Sequence, residues 1–346
     1  MKIGIWDHVD ANGDSISDVF NNRLDFVKAA DEAGFFSLHI SEHHATPLNM
    51  TPTPGVYLGA VTRETDNIRL GPLCYILPLY SPLRLIEEIC MLDHLSGGRF
   101  DLGVGRGISP YELAYHNVNV DEASEIFHES LEIIVKGLSN TTLTYSGNYY
   151  SYDNVPMILN SSQQPHPPIW YPSSSESGSF WAGEQGYNYV TLGATELAKP
   201  RIEAYKKGLS KRQTTLKKKD VLIAQDYLIG VMRHFVIANT DEEAIEIATP
   251  AYDQLYDSIT KLSQQNAGPR IGGFAAPDIK TYIDWGGIIV GTPDTVLMQL
   301  EKQLDILDIN YLVACFYFGN IPHDHAMRSL NLFASEIMPE LKNKAI

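Results

Sequence analysis

Two adjacent histidines are the first residues in the sequence whose types suggest chemistry. They close the tetrapeptide Ser41-Glu42-His43-His44, which follows a short apolar run. Because imidazoles titrate near neutral pH, they could relay a proton or stabilise charge beside a bound reactant, and Glu42 could orient either ring. The tetrapeptide is also compatible with two histidines that only satisfy local backbone groups. The spacing alone does not separate the two interpretations.

Two further stretches have the composition of an anion site. Glycines at 103, 105 and 107 would let a ligand approach the backbone, and Arg106 adds a permanent cation. This spacing does not match the dinucleotide fingerprint G-x-G-x-x-G. Ser174, Ser175 and Gly178 precede a helical segment, where hydroxyls and free N–H groups suit a phosphate. The sequence predicts one phosphate site, the alternatives being a packed strand with a surface arginine and a serine-rich linker.

An apolar wall is the fourth candidate feature. Leu73 and Cys74 open a run that continues to Pro78 and could lie against a planar ring system. Viewed without its context, the same run is better explained by a buried strand and a turn, because Pro78 and Pro82 account for the bend without a ligand.

The elements that carry these residues alternate between strand and helix patterns, which predicts an α/β fold, a (β/α)8 TIM barrel spanning residues 1–346 as one domain. Catalytic groups in such a barrel come from the carboxyl ends of the strands, where all four features lie. Loop insertions are predicted near 107–123, 141–167 and 264–287, the last able to fold over the barrel mouth. The predicted strands are 3–6, 36–40, 68–76, 99–105, 168–172, 189–192, 228–238 and 311–318.

Composition excludes several classes of protein. No segment has the roughly 20 apolar residues of a membrane helix, and the N-terminus lacks an apolar signal core, so a cytoplasmic protein is expected. A net charge of −16 disfavours nucleic-acid binding, and the basic run 206–219 is interpreted as a solvated loop. The three cysteines have no metal-site or disulfide spacing.

Taken in order, the motifs resemble the bacterial luciferase-like flavin-dependent monooxygenase family. The matching segments are SEHH (41–44), NIRLG with ILP (67–78), LDHLSGGRFDLGVGRG (92–107), VGTPDTV (290–296) and RSLNLFASEIMPEL (328–341). The resemblance implies an enzyme that uses reduced FMN and O2, through a C4a-peroxyflavin, to oxygenate a small organic substrate. It also implies a homodimer, with the helices after strands two and three facing the partner. Since no NAD(P)H-binding domain is evident, a separate flavin reductase is expected.

The resemblance assigns roles to individual residues. His43 matches the catalytic histidine, and Leu73 and Cys74 match a pair joined by a non-proline cis peptide beneath the isoalloxazine ring. The phosphate would be held by the matching residues Arg106, Ser174, Ser175 and Gly178. In (β/α)8 barrels in general, phosphate sites usually follow strands seven and eight. Gly286, Gly287 and Gly319 are therefore a second candidate location for the phosphate.

The sequence departs from the light-emitting luciferases, and it also allows functions other than an FMN-dependent monooxygenase. Gly105 stands where the light-emitting luciferases have a reactive cysteine, so bioluminescence is not predicted. An F420-dependent oxidoreductase of the same barrel superfamily and a flavin-binding relative without catalysis are the alternatives. A metal-dependent hydrolase using His323 and His325 is disfavoured, because strand one lacks an H-x-H ligand pair, and no metal is expected.

Overall fold

Buried strands alternate with helices along the chain. The computed structural model describes residues 1–215, 227–268 and 276–343. Its strands are β1 (Lys2–Asp7), β2 (Ser37–Ile40), β3 (Arg69–Pro72), β4 (Tyr75–Ile76), β5 (Leu102–Gly105), β6 (Thr142–Ser146), β7 (Ser151–Pro156), β8 (Ile169–Pro172), β9 (Asn188–Thr191), β10 (Ile229–Ile237), β11 (Ile288–Gly291) and β12 (Tyr311–Cys315). Its helices are α1 (Ile16–Glu32), α2 (Pro54–Glu64), α3 (Pro82–Leu95), α4 (Pro110–Tyr115), α5 (Ala123–Ser139), α6 (Glu176–Gln185), α7 (Thr195–Thr215), α8 (Asp241–Gln265), α9 (Ile279–Asp284), α10 (Pro293–Leu307), α11 (His323–Leu332) and α12 (Met338–Asn343).

The strands close into a barrel. Nine of them form one parallel path in the order β3-β2-β1-β12-β10-β9-β8-β5-β4. A parallel bridge between Leu70 and Phe100 joins β3 to the segment that leads into β5, so the two ends of the path meet. The predicted (β/α)8 barrel is therefore confirmed, with β3 and β4 together serving as its third strand. A further strand, β11, pairs with the end of β10 and was not predicted.

Helix α1 illustrates why these segments are helical. Val19, Phe26 and Ala30 recur at helical spacing and are buried against the barrel. The Ser15 hydroxyl accepts a hydrogen bond from the first turn, as N-cap residues do. The helix ends ahead of Gly34, whose φ of 78° lies in the left-handed region that favours glycine.

Several predicted boundaries require correction. The third strand is interrupted between Pro72 and Tyr75, and the eighth ends at Cys315 instead of continuing to 318. The helical segment predicted to follow Ser174, Ser175 and Gly178 begins at Glu176, so Gly178 lies within its first turn and does not precede it.

The solvated loop predicted at 206–219 is wrong for residues 206–215, which belong to α7, while 216–219 lie outside the described residues. Side chains at Gly183 of α6 and Gly208 of α7 would overlap backbone atoms of the opposite helix. Their absence lets α6 and α7 pack closely and bury Ile202 and Tyr205. This close contact between helices, which the polar sequence of α7 does not reveal, explains the error.

The predicted insertions contain structure of their own. Residues 107–123 include α4, and 141–167 include the antiparallel hairpin of β6 and β7. The region 264–287 contains the end of α8 and all of α9, and its residues 269–275 lie outside the described part of the chain. Asn266 at the end of α8 lies 3.5 Å from the Tyr115 hydroxyl of α4, so these two insertions meet. No helix among the described residues is long and apolar enough to cross a bilayer.

Candidate active site

The carboxyl ends of the second to fifth barrel strands bring the predicted residues to one mouth of the barrel. His43 follows β2, Cys74 lies between β3 and β4, and Arg106 follows β5. Ser175 lies between β8 and α6. Because Gly103 of β5 pairs with Trp170 of β8, Arg106 and the serine segment leave neighbouring strand ends.

His43 forms an ion pair with Glu112 of α4. Its Nδ1 lies 3.2 Å from Glu112 Oε1, and the His43 side chain is 18% exposed. Burial lowers the pKa of His43, but Glu112, and then Glu42, favour the imidazolium more strongly, so the pKa lies above its ordinary value. The pKa of Glu112 is correspondingly lowered, because the attraction of His43 outweighs the effect of burial. The pairing with Glu112 therefore favours the protonated form of His43 and the ionised form of Glu112.

Glu112 was not recognised from the sequence. The spacing of Ser109 and Glu112 has the form of a capping box, and Ser109 does cap α4. That signal predicts the helix and not the pairing of Glu112 with His43. The other Glu112 oxygen accepts a hydrogen bond from the His44 backbone N–H at 3.1 Å, so Glu112 holds both histidines in place.

Glu42 orients His44, which resolves the choice that the sequence left open. Its Oε1 accepts a hydrogen bond from His44 Nε2 at 2.9 Å. Its Oε2 accepts one from the Ile76 backbone N–H, also at 2.9 Å, which ties the end of β2 to β4. The His44 ring lies 4.4 Å from that of His116, between ring centroids.

The Leu73–Cys74 peptide bond is cis, as the resemblance implies. Leu73 is buried, whereas Cys74 is partly exposed, and burial raises the pKa of the Cys74 thiol, which is therefore uncharged. The Cys74 sulfur occupies the space that a side chain at Gly105 would need. A cysteine at position 105, as in the light-emitting luciferases, is therefore incompatible with this placement of Cys74.

Arg106 and the start of α6 have the properties of a phosphate site. The Arg106 side chain is exposed and makes no hydrogen bond or ion pair with the described residues. Ser175 caps α6 by accepting a hydrogen bond from the Gly178 N–H at 3.1 Å. The N–H groups of Glu176 and Ser177 have no acceptor among the described residues. A side chain at Gly178 would contact two of the serine hydroxyls, so the cradle requires glycine.

Ser174 is exposed on the same loop and makes no hydrogen bond with the described part of the chain. The donor set of one arginine, free helix N–H groups and serine hydroxyls fits a phosphate monoester.

The second phosphate location lacks free donors. The Gly286 N–H donates to the Ile283 carbonyl at 2.8 Å, and the Gly287 N–H donates to that of Tyr282 at 3.0 Å. The Gly319 N–H donates to the buried Asp10 carboxylate at 3.0 Å. A phosphate there would have to displace these acceptors, which favours the site at Arg106.

Sequence reasoning also missed two buried features beside the mouth. Asp7 and Arg23 form an ion pair of 2.8 Å in which both side chains are buried, and the guanidinium lies 3.1 Å from the centre of the Tyr317 ring. His8 follows β1, and its ring centroid lies 6.0 Å from that of His43, while His234 lies within β10 and interacts with His8; both side chains are buried. Histidine and aspartate after β1 were visible in the sequence, but no family motif drew attention to them.

Metal chemistry has no evident ligand set, since no group of three or more His, Cys, Asp or Glu side chains within residues 1–215, 227–268 and 276–343 could hold an ion.

Comparisons with known proteins agree with this geometry. A family model described as luciferase-like monooxygenase matches residues 1–304. The uncharacterized protein y4wF of Sinorhizobium fredii is 33% identical over 344 residues, covering 98% of this chain and 96% of its own. Monooxygenase RslO1 from Streptomyces bottropensis superposes with a TM-score of 0.81 at 21% identity, over 98% of this chain and 99% of its own. The oxygenating constituent of 3,6-diketocamphane monooxygenase from Pseudomonas putida, in complex with FMN, superposes with a TM-score of 0.79 at 20% identity. The match covers 98% of this chain and 99% of its own.

Proposed function

The chain belongs to the luciferase-like monooxygenase family, and from that premise we propose that it is the oxygenase of a two-component, FMN-dependent monooxygenase acting on a small organic substrate. The observation that carries the proposal is that a set of phosphate donors, Arg106 and the start of α6, lies at the same barrel mouth as the His43–Glu112 ion pair. A phosphate donor set alone would suit many ligands. An imidazole whose pKa is raised by Glu112 adds a proton donor suited to oxygen chemistry.

Reduced FMN, when bound, supplies the electrons that activate O2. The phosphate would be held by Arg106, Ser174, Ser175 and Gly178, and Leu73 and Cys74 would form the wall against the ring. Glu112 raises the pKa of His43, so the imidazole would hold a proton and would donate it from Nε2, the nitrogen that does not face Glu112. In the overall reaction one oxygen atom of O2 would enter the substrate and the other would leave as water.

Helix α4 contributes to shielding this chemistry from solvent. Leu113 of α4 packs against Ile76 of β4 and Ala123 of α5 in a small apolar cluster. Ile76 also donates its backbone N–H to Glu42, the residue before His43, so water excluded by this cluster would be excluded close to His43 and would not promote unproductive breakdown of reactive oxygen species.

Two partners form part of the proposal. The neighbour named as an oxygenating constituent is in complex with FMN, and this chain shows no dinucleotide fingerprint of its own, so a separate reductase would supply the reduced flavin.

A homodimer through α2 and α3 is supported by Val56 and Met91, which are 76% and 55% exposed on these helices. Sedimentation of the protein carrying Val56→Glu and Met91→Glu tests the dimer, and the monomer is the expected species.

Flavin binding is tested by titration. FMN and riboflavin differ only in the phosphate, so Arg106→Ala should weaken FMN binding by about 10- to 100-fold and leave riboflavin binding unchanged. F420 is titrated in parallel. Binding of F420 in preference to FMN would refute FMN as the cofactor, and equal binding of FMN and riboflavin to the unmodified protein would refute the phosphate site.

Oxygen transfer is tested with decanal as the probe. Protein with chemically reduced FMN and air should convert decanal into decanoic acid, with one water formed per FMN oxidised. His43→Gln should divert the oxygen to free hydrogen peroxide and lower the acid yield by about 10²-fold. An unchanged ratio of acid to peroxide in a folded His43→Gln protein would show that His43 does not serve this step.

A further inference from the structure

His8 shares the barrel mouth with His43. The two rings leave neighbouring strands, since Asp7 of β1 pairs with Ile40 of β2, and their centroids are 6.0 Å apart. His8 is only 6% exposed. Its Nε2 atom makes no hydrogen bond with the described residues. The Nε2 atom of His234 also has no partner and is fully buried, whereas His8 Nε2 is not fully buried. His8 Nε2 therefore retains contact with solvent and is free to bind a ligand beside His43.

A chain of hydrogen bonds determines which His8 nitrogen carries the proton. Asn49 Oδ1 accepts hydrogen bonds from the Thr51 backbone N–H and hydroxyl, which fixes the orientation of the Asn49 amide. The Asn49 NH2 group then donates to Ser41 Oγ at 3.3 Å and to the Ser41 carbonyl at 2.7 Å. Ser41 Oγ is left to donate its own proton, and His8 Nδ1, at 2.8 Å, is the acceptor within reach in the described part of the chain. Nδ1 is thus an acceptor, and the proton of His8 resides on Nε2.

The surroundings of His8 keep it neutral. The groups that face it are His43 with Glu112 behind it, His234 of β10, and Arg23 of α1 with its partner Asp7. Burial, followed by unfavourable electrostatic interactions with His43, His234 and Arg23, holds the pKa of His8 well below its ordinary value. The pKa values of His8 and His43 are displaced in opposite directions, a pattern that assigns different roles to two neighbouring groups.

The geometry points to His8 as a substrate-binding residue, whose Nε2–H donates a hydrogen bond to an acceptor oxygen next to the reacting carbon of the substrate. The inference rests on the proposed monooxygenase function and narrows its substrate class to compounds that carry such an oxygen, as opposed to plain hydrocarbons. Ser41 is a positioning residue that maintains the required tautomer. His43 remains the group that handles the proton.

Nuclear magnetic resonance of the full-length protein labelled with ¹⁵N-histidine tests the inference without turnover. The His8 signals are assigned by their loss in His8→Phe, and spectra are taken with and without FMN. We expect a neutral Nε2–H tautomer at pH 7 that shifts on addition of decanal and does not respond to decane. An Nδ1–H tautomer, a charged ring, or equal responses to the two probes would overturn the proposal. If FMN fails to bind, the proposed function fails, while the tautomer and the decanal response still test His8.

Kinetic variants separate substrate binding from folding. His8→Phe should raise the KM for decanal about tenfold, with FMN affinity unchanged, because one hydrogen bond to the substrate is lost. Ser41→Ala, a smaller change, should convert part of the His8 population to the other tautomer and raise KM in proportion. His166→Phe is the matched control, since the one hydrogen-bond partner of His166 within the described residues is the neighbouring Pro167 carbonyl. An unchanged KM in both variants would refute the role of His8.

Discussion

Gly105 and Cys74 provide a direct test of how the third and fourth barrel strands pack. A methyl group added at Gly105 would overlap Cys74 Sγ, while the next nearest atom, Cys74 Cβ, is at an ordinary contact distance of 3.5 Å. All of the strain in Gly105→Ala therefore comes from one sulfur atom. Overpacking a tight core by one methyl group costs about 1–3 kcal/mol, and we expect the free energy of unfolding to fall by this amount.

Removing the sulfur should remove most of that cost. Cys74→Ala by itself loses a partly buried sulfur, at about 1 kcal/mol. In the double variant the new methyl group occupies the space that the sulfur vacates. The two substitutions should therefore be non-additive, with a coupling free energy of about 1–2 kcal/mol in favour of the double variant.

Gly103 supplies the matched control. A methyl group at Gly103 would overlap the carbonyl oxygen of Pro72, a backbone atom that Cys74→Ala does not move. Gly103→Ala should therefore be destabilising both with and without Cys74. Urea unfolding followed by circular dichroism measures all six proteins. Additive effects of Gly105→Ala and Cys74→Ala, or an equal rescue of Gly103→Ala, would refute the placement of the Cys74 sulfur next to Gly105.

Three further predictions concern charge and capping. Since Glu112 raises the pKa of His43, Glu112→Gln should lower that pKa, so that His43 loses its proton at a lower pH than in the unmodified protein. The alkaline limb of the kcat/KM profile for decanal should then move to lower pH, with a loss of about tenfold above neutrality. Ser175→Ala removes the cap of α6, and it should lower the free energy of unfolding by about 1 kcal/mol and weaken FMN binding more than riboflavin binding. Arg23→Met leaves Asp7 as a buried unpaired carboxylate. It should lower the free energy of unfolding, measured with urea, by about 3–5 kcal/mol.

Each of these predictions has a control elsewhere in the structure. Glu246→Gln, on the exposed face of α8, should leave the pH profile unchanged, and an identical shift in both variants would contradict the specific role of Glu112. The ion pair between Arg328 and Glu243 is about one third exposed, so Arg328→Met should cost no more than about 1 kcal/mol. Equal costs for the buried and the exposed pair would contradict the argument from burial. An unchanged ratio of FMN to riboflavin affinity in Ser175→Ala would exclude the α6 cap from phosphate binding.

The sequence by itself determined the architecture and the general position of the site. Strand and helix periods depend only on neighbouring residues, so the alternation of elements predicted the barrel without any knowledge of contacts. Because the active face of such a barrel is made from strand ends, the positions of His43, Arg106 and Ser175 after their strands predict that all three lie at one mouth. The main error, α7, arose where close packing against α6 stabilises a helix whose own sequence is polar.

Only the tertiary structure decided which side chains act on one another. Glu112 lies 69 positions from His43 along the chain, and the two meet because α4 folds back over the end of β2. The tautomer of His8 depends on Ser41 and Asn49, which follow the neighbouring strand. These contacts depend on barrel closure and on loop paths, neither of which is encoded in local periodicity. The sequence thus identifies the residues that could do chemistry, and the fold determines the charge, the tautomer and the partner of each.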